Sequence, residues 1–171
     1  MALQKKILST AYTTLFRQIR ESKEAPPVDS MVDRFLDPYY NYSNTAQDHS
    51  GDYLGASNIA LAKSPLKVGF NSQGGAEQSL KTGLQAYWMS AQFQTLVPLP
   101  AMSQEISSVV TAVNPSLLDG IFGNLYDDPA EAANNIADQL HLFTQSVQIL
   151  ITGLATAGSP PPVITVAGQI M

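Results

Sequence analysis

Residues 128–158 read DPAEAANNIADQLHLFTQSVQILITGLATAG, and this stretch predicts the central helix of the fold. Asp128 is of a residue type that caps helices, and Pro129 suits the first helical position. Apolar residues then follow at alternating spacings of three and four: Ala133, Ile136, Leu140, Phe143, Val147, Leu150 and Leu154. The spacing predicts a helix over about 129–152 that buries one seam, with Gly153 just past its C-terminal end.

Composition indicates one globular domain that does not bind nucleic acid. A chain of 171 residues can bury one sizeable core. The net charge of −5 and the isoelectric point near 4.8 argue against a nucleic-acid surface, which would need a basic patch. The chain has no cysteine, which excludes disulfides and thiolate metal sites. No run of about 18 apolar residues occurs, so we expect no membrane span.

The charges are distributed unevenly along the chain. All nine Lys and Arg residues lie within 1–81, whereas residues 82–171 contain six carboxylates and no basic side chain. Soluble surfaces normally mix both signs, and subunit interfaces are depleted in Lys and Glu. One interpretation is an acidic surface coated with Asn, Gln, Ser and Thr. We favour the other, in which other protein copies cover much of this surface.

Four further helices are predicted from apolar periodicity. A basic amphipathic helix is expected over about 2–23, packed in the body or docked on an acidic neighbour, for which the C-terminal region of another copy would serve. A second helix is expected over 76–93, with Trp88 as a core anchor. Residues 103–113 and 115–122 predict two short helices, separated from the second by the extended segment 96–100, LVPLP.

Residues 24–72 read as a long irregular arm, with two helical turns at most near 30–36 and a short strand near 67–70. Within the arm, Tyr39, Tyr40 and Tyr42 lie among turn-forming residues. An exposed tyrosine cluster suits a binding surface, because each ring is large, rigid and amphipathic. The alternative, at least as well supported by the sequence, is that the three rings pin the segment onto the body.

Candidate chemistry is sparse. The segment DHSGD at 48–52 is the one place where a histidine and two carboxylates cluster, but it lacks the ligand spacing of a calcium loop or a zinc site, so a polar turn is the better reading. The chain contains only two histidines, His49 and His141, and no nucleophile-elbow pattern. We therefore expect no enzyme, no cofactor and no metal.

The C-terminal residues 159–171, SPPPVITVAGQIM, predict an extended tail. Val163, Ile164 and Val166 are β-prone, uncharged and separated from the central helix by three prolines. The chain offers few obvious strands to pair with, so we expect this segment to join a sheet edge of another subunit. The alternative is a tail that folds back over its own helices.

The layout of the chain resembles that of the small virion structural proteins of tailed bacteriophages. The features are the basic leading helix, the helix LQAYWMSAQF at 84–93, the proline-punctuated link, the helix IADQLHLFTQSV at 136–147 and the nearly uncharged tail. The resemblance implies localisation in a virion and partners that are other copies of this chain and other virion proteins. It assigns no functional residue.

Together these patterns predict a mainly α-helical fold. We expect a small helical bundle over 1–158, with a long irregular arm at about 24–72, followed by an extended C-terminal arm at 159–171. The predicted function is that of a structural subunit of a multi-copy assembly, in the capsid, neck, tail or baseplate of a phage. The alternative is a soluble α-helical adaptor that docks through its basic N-terminal helix.

Overall fold

A computed structural model describes residues 3–72, 74–94, 98–123 and 126–171. The fold is mixed rather than mainly helical, because 48% of the residues are helical and 20% lie in a five-stranded antiparallel sheet. The prediction of a small helical bundle is therefore wrong. The extended segment predicted at 96–100 lies partly outside the described residues.

The described helices comprise one 3-10 turn and five α-helices. The 3-10 turn is Pro115–Leu118. The α-helices are α1 (Lys5–Glu21), α2 (Val28–Ser43), α3 (Ala60–Phe70), α4 (Ala76–Met89) and α5 (Pro129–Gln145). Helix α1 packs against α5, and α3 packs against α4. The predicted helices at the N-terminus, over 76–93 and from Pro129 onward are thus present, each shorter than expected.

The sheet has the strand order β1-β2-β3-β4-β5, in which every neighbouring pair is antiparallel. The strands are β1 (Leu54–Ala56), β2 (Gln92–Phe93), β3 (Met102–Ala112), β4 (Gln148–Ala155) and β5 (Val163–Gln169). Strand β4 lies between β3 and β5, and both of them pair with it along most of its length. One face of the sheet contributes Val110, Ile149 and Ile151 to the hydrophobic core.

The central helix is shorter than its apolar pattern indicates. Asp128 caps α5 as predicted by accepting a hydrogen bond from the Ala130 amide, but the helix ends at Gln145 and the chain continues as β4. The segment QILITGLA also satisfies a period of two, because Ile149, Ile151 and Gly153 are buried in alternation. Its β-branched residues favour a strand once partners are available on both sides.

Gly153 lies where β4 comes close to β3, and it does not end a helix as the sequence predicted. A Cβ atom at this position would lie 2.5 Å from the Gln104 carbonyl oxygen and 2.5 Å from the Met102 sulfur. No side chain fits at those distances, so glycine lets β4 approach β3 closely.

Residues 102–112 form strand β3, whereas the sequence predicted a short helix over 103–113. The register of β3 against β4 shifts at three places, one of them between Glu105 and Ser107, where Ile106 is an extra residue. Each bulge interrupts the alternation of inward and outward side chains, so the inward residues Met102, Glu105 and Ser108 recur every three residues. That spacing imitates one face of a helix.

Residues 24–72 are ordered as α2, β1 and α3, so the prediction of a long irregular arm is wrong. The proposed strand at 67–70 belongs to α3. Pro38 and Pro65 lie inside helices, although proline normally interrupts one. In α2, burial of Val32, Phe35, Leu36, Tyr39 and Tyr42 offsets the hydrogen bond lost at Pro38.

The C-terminal segment is a strand of the sheet and not a free arm. Strand β5 pairs antiparallel with β4 of the same chain from Leu154–Val163 to Gln148–Gln169. The partner strand was missed because its first five residues, 148–152, were assigned to the central helix. The expectation that the tail pairs with another subunit, for lack of a partner in its own chain, is therefore wrong.

None of the helices in the described part of the chain is both long and apolar enough to cross a membrane. The basic helix α1 also has its acidic neighbour within the same chain. Lys5 forms an ion pair with Asp138 of α5, and Arg20 donates to the backbone oxygen of Asp127.

The seam of α5 provides a stability prediction with an internal control. Leu140 is fully buried, whereas Leu142 on the same helix is 54% exposed. We expect Leu140→Ala to lower the free energy of unfolding by about 2–5 kcal/mol, because it leaves a cavity. Leu142→Ala should change it by no more than about 0.5 kcal/mol. Urea denaturation followed by circular dichroism measures both; equal effects would contradict the packing of α5.

Candidate functional site

The outer face of the sheet is open and uncharged. In the register, Val109 of β3, Leu150 of β4 and Ala167 of β5 lie side by side, and Ser107, Thr152 and Thr165 form the next row. The outward side chains, all exposed or half-buried, are Gln92, Gln104, Ile106, Ser107, Val109, Thr111, Gln148, Leu150, Thr152, Leu154, Val163, Thr165, Ala167 and Gln169. Among the residues of the five strands, the only charged one is Glu105, which points inward.

This open face also carries most of the exposed apolar side chains of the sheet. Ile106 is 52% exposed, Val109 43% and Val163 62%. Strand β5 is at the end of the strand order, so its outer edge is a row of backbone donors and acceptors to which no described strand pairs. The predicted interaction residues divide between the two faces: Val163 points outward, whereas Ile164 and Val166 are partly buried against the core.

The tyrosines of α2 belong mainly to the core. Tyr39 and Tyr42 are fully buried, and Tyr40 is half-buried against the same core. The Tyr39 hydroxyl accepts a hydrogen bond of 2.8 Å from Trp88 Nε1 and lies 2.8 Å from Thr144 Oγ1. Burial raises the pKa of Tyr39 well above its ordinary value. The alternative in which the rings pin this segment to the body is the one that the structure supports.

Tyr42 connects the tyrosine cluster to the histidine of α5. Its hydroxyl lies in hydrogen-bond contact with His141 Nδ1, and the two rings meet edge to face. Burial, together with the positive charge of Lys5, lowers the pKa of His141, while Asp138 opposes that shift. The histidine is thus held in its neutral form as part of the packing.

A second candidate site lies on the inner side of the sheet, where three buried carboxylates converge. Asp48, Asp52 and Glu105 each place a carboxylate oxygen so that the three atoms lie within 4.8 Å of one another. The first two residues belong to the DHSGD segment, and the third comes from β3. The fold thus brings Glu105 to the acidic turn, although it lies 53 residues after Asp52 in the chain. The sequence analysis did not find this third carboxylate.

The DHSGD segment is a hairpin turn whose shape is fixed by Asp48. The Asp48 Oδ1 atom accepts hydrogen bonds from the Ser50 amide, the Ser50 hydroxyl and the Asp52 amide, at 2.9, 2.6 and 3.0 Å. Its Oδ2 atom accepts from the Ser108 hydroxyl of β3 at 2.7 Å. Gly51 adopts φ +95°, which an L side chain rarely adopts. The polar turn predicted from the sequence is present, and it is anchored on the sheet.

Glu105 is the least compensated group of this cluster. It is 5% exposed, and the group of the described residues that reaches its carboxylate oxygens is the carboxyl of Asp52, not an amide, a hydroxyl or a basic side chain. Burial, then the carboxyls of Asp52 and Asp48, raise the pKa of Glu105 to about 7. In the sequence, Glu105 is the one charged residue of the otherwise uncharged segment 102–112. That signal was overlooked because the segment was predicted to be a helix.

His49 follows Asp48 in the chain and packs against Gly168 near the end of β5. Both of its ring nitrogens are buried without a hydrogen-bond partner, and the ring occupies the space that a Cβ atom of Gly168 would need. The Met171 amide donates to the Gln47 carbonyl at 2.9 Å. The hairpin turn is therefore attached to both β3 and the end of β5.

The hydroxyl of Tyr39 offers a test of the tyrosine cluster. We expect Tyr39→Phe to lower the free energy of unfolding by about 1–3 kcal/mol, because the buried Trp88 N–H loses its acceptor. The matched control is Tyr40→Phe in the same helix, which should cost no more than about 0.5 kcal/mol. Thermal and urea denaturation of both variants measure the difference. A neutral Tyr39→Phe would show that this hydroxyl is not the partner of Trp88.

His141 generates a pH dependence with a defined sign. Its folded pKa lies below the ordinary value of 6.5, so the folded state binds fewer protons than the unfolded chain. The contribution of His141 to stability is therefore complete above about pH 6.5 and is lost as the pH falls toward the folded pKa. We expect the stability of the wild type to decrease more steeply from pH 7 to 5 than that of His141→Gln. Parallel curves would contradict this assignment.

The comparisons with known proteins give no family for this chain. No protein-family model matches it, and neither a curated protein nor a solved structure matches it significantly. The functional argument therefore rests on the residues and the geometry described above.

Proposed function

We propose that this protein is a structural subunit of a multi-copy protein assembly, which contacts other copies of itself through the open face of its sheet. The observation that carries the proposal is the absence of charge on that face. All fourteen outward side chains named above are apolar or neutral polar. The centres of subunit interfaces are depleted in charged residues in the same way.

The charge distribution favours another copy of this chain as the partner. The acids of the C-terminal half other than Glu105, namely Asp119, Asp127, Asp128, Glu131 and Asp138, all lie outside the strands. Asp119 and Asp138 form ion pairs with Lys81 and Lys5, but two copies that met at the start of α5 would bring the carboxylates of Asp127, Asp128 and Glu131 against their own kind. Two uncharged sheet faces meet without that repulsion, so the open face is the surface best suited to self-association.

The edge of β5 extends the same surface. An edge strand with exposed apolar residues is a site at which a second strand can pair. Val163 lies at the start of β5 with its side chain on the open face, so face contact and edge pairing would bury it in either geometry. Proteins normally protect such edges with Lys, proline or a covering element, and β5 contains neither Lys nor proline.

The more specific part of the proposal is that the assembly is the virion of a tailed bacteriophage. It rests on the resemblance of chain layout, in particular the basic leading helix and the segments LQAYWMSAQF and IADQLHLFTQSV. It does not depend on the sheet. Quantitative mass spectrometry of purified phage particles tests it, and multiple copies per particle are the expected result.

The adaptor alternative has less support. Docking through α1 needs its basic residues to be available, but Lys5 and Arg20 already contact α5 and the segment that precedes it. The Arg34 side chain likewise contacts Gln18 of α1. Lys6 and Arg17 of α1 stay exposed, and the outward side of the helix includes a shallow groove lined by Gln4, Lys6, Ile7, Thr10, Ala11 and Thr14.

Self-association through the open face is testable by one substitution. We expect the purified wild type to sediment as an oligomer and Val109→Lys to sediment as the 18.4 kDa monomer, because a lysine in the middle of the face must be desolvated. Analytical ultracentrifugation over a range of concentrations measures this, with circular dichroism to confirm folding.

The matched control is Val68→Lys, which makes the same change at a valine of α3 that is 63% exposed. This variant should associate like the wild type. The proposal is contradicted if the wild type stays monomeric at about 100 μM, because its dissociation constant would then be weaker than that of a micromolar interface. Association of Val109→Lys that equals the wild type would exclude this face.

A further inference from the structure

Two members of the carboxylate cluster, Asp48 and Glu105, form no ion pair with a basic side chain of the described residues. The ion pairs in this part of the chain involve Lys5, Lys63, Lys67 and Lys81, and neither Asp48 nor Glu105 takes part in them. All three carboxylates are buried, Asp48 and Asp52 completely. Carboxylates are rarely buried unless they are paired, protonated or bound to a metal ion.

Glu105 is the observation that points to a ligand. Its side chain comes from β3, is 95% removed from solvent and is directed at the two aspartates of the hairpin turn, yet among the described residues the group that reaches its oxygens is the carboxyl of Asp52, which is itself an acid. A structural role would place a hydroxyl, an amide or a basic side chain there, as Ser108 does for Asp48. An uncovered carboxylate facing two others is the arrangement of an oxygen-ligand cation site.

We propose that Asp48, Asp52 and Glu105 bind one divalent cation of the Ca²⁺ type. Calcium takes carboxylate oxygens at 2.3–2.6 Å, so two oxygens on opposite sides of the ion lie about 5 Å apart. The three oxygens of the cluster, all within 4.8 Å of one another, fit around such an ion. Three ionised carboxylates around one divalent ion carry a net charge of −1.

Calcium fits this site better than magnesium. Magnesium loses its waters reluctantly and usually keeps several of them. The two aspartates are fully buried, which leaves little room for a hydrated ion. The hydrogen bonds from Ser50, Ser108 and the Asp52 amide fix the orientation of the Asp48 carboxylate, as the partners of metal ligands commonly do.

A bound ion would join the hairpin turn to β3 beneath the open face. The hairpin also contacts the segment after β5, because the Met171 amide donates to the Gln47 carbonyl, so one ion would link the β3 and β5 sides of that face at a single point. This inference does not depend on self-association. The DHSGD segment supplies two of the three carboxylates, and Glu105 of β3 supplies the third.

Calorimetric titration of CaCl₂ into chelator-treated full-length protein at pH 8 tests the site. We expect one ion per chain, tighter binding of Ca²⁺ than of Mg²⁺, and a melting temperature that rises with the concentration of CaCl₂, because a ligand that binds only the folded state stabilises it. Glu105→Gln should weaken the binding at least tenfold. The matched control is Glu24→Gln, which alters an exposed carboxylate outside the helices and should bind like the wild type.

Two further results decide the remaining cases. If Glu105→Gln does not fold, Asp52→Asn replaces it with the same expected loss of binding. The proposal is overturned if CaCl₂, MgCl₂ and MnCl₂ all leave the heat of titration and the melting temperature of the wild type unchanged. It is overturned equally if Glu105→Gln and Asp52→Asn both fold and bind Ca²⁺ as tightly as the wild type. In that event a proton, not a metal ion, neutralises the cluster.

Discussion

The backbone pairing of β4 is the constraint on which the rest of the structure depends. It holds β3 on one side and β5 on the other, each in antiparallel register over most of the strand. This pairing commits Ile149, Ile151 and Gly153 to the inner face, where the first two join the core. The same alternation sends Leu150, Thr152 and Leu154 outward, because successive side chains of a strand point to opposite faces. A shift of the register by one residue would exchange the two faces.

The part of the fold that the sequence predicts well is the part where one period is unambiguous. Helix α5 has a capping aspartate, a proline at the first position and a seam that Ala133, Ile136, Leu140 and Phe143 bury. Those signals are local, so they can be recognised without knowing the partners of the helix. The predicted helix continued past Gln145, where α5 ends, because the residues of β4 that follow satisfy both a helical seam and a strand alternation. Only the presence of β3 and β5 decides between the two.

The candidate sites were hidden for a related reason. Glu105 lies 53 residues from Asp52, and three register shifts give β3 an inward spacing that resembles that of a helix. Once β3 was assigned to a helix, neither the third carboxylate nor the open face could be inferred. The uneven charge was visible from the start, since residues 82–171 contain no basic side chain. Composition thus indicated an unusual surface, but strand register was needed to locate it.

One bulge brings the two candidate sites together. Between Glu105 and Ser107, β3 contains one more residue than β4, and that residue is Ile106. Across the bulge, Ile106 and Ser107 both face outward, Ile106 with 52% of its surface exposed, whereas Glu105 and Ser108 on either side point inward to the aspartates. Bulges persist at functional positions because they redirect single side chains without dissolving the sheet. A perfectly alternating β3 with Glu105 inward would turn Ser108 outward, because successive side chains of a strand point to opposite faces. The bulge therefore lets Ser108 reach the Asp48 carboxylate on the inner face while Ile106 and Ser107 both face outward.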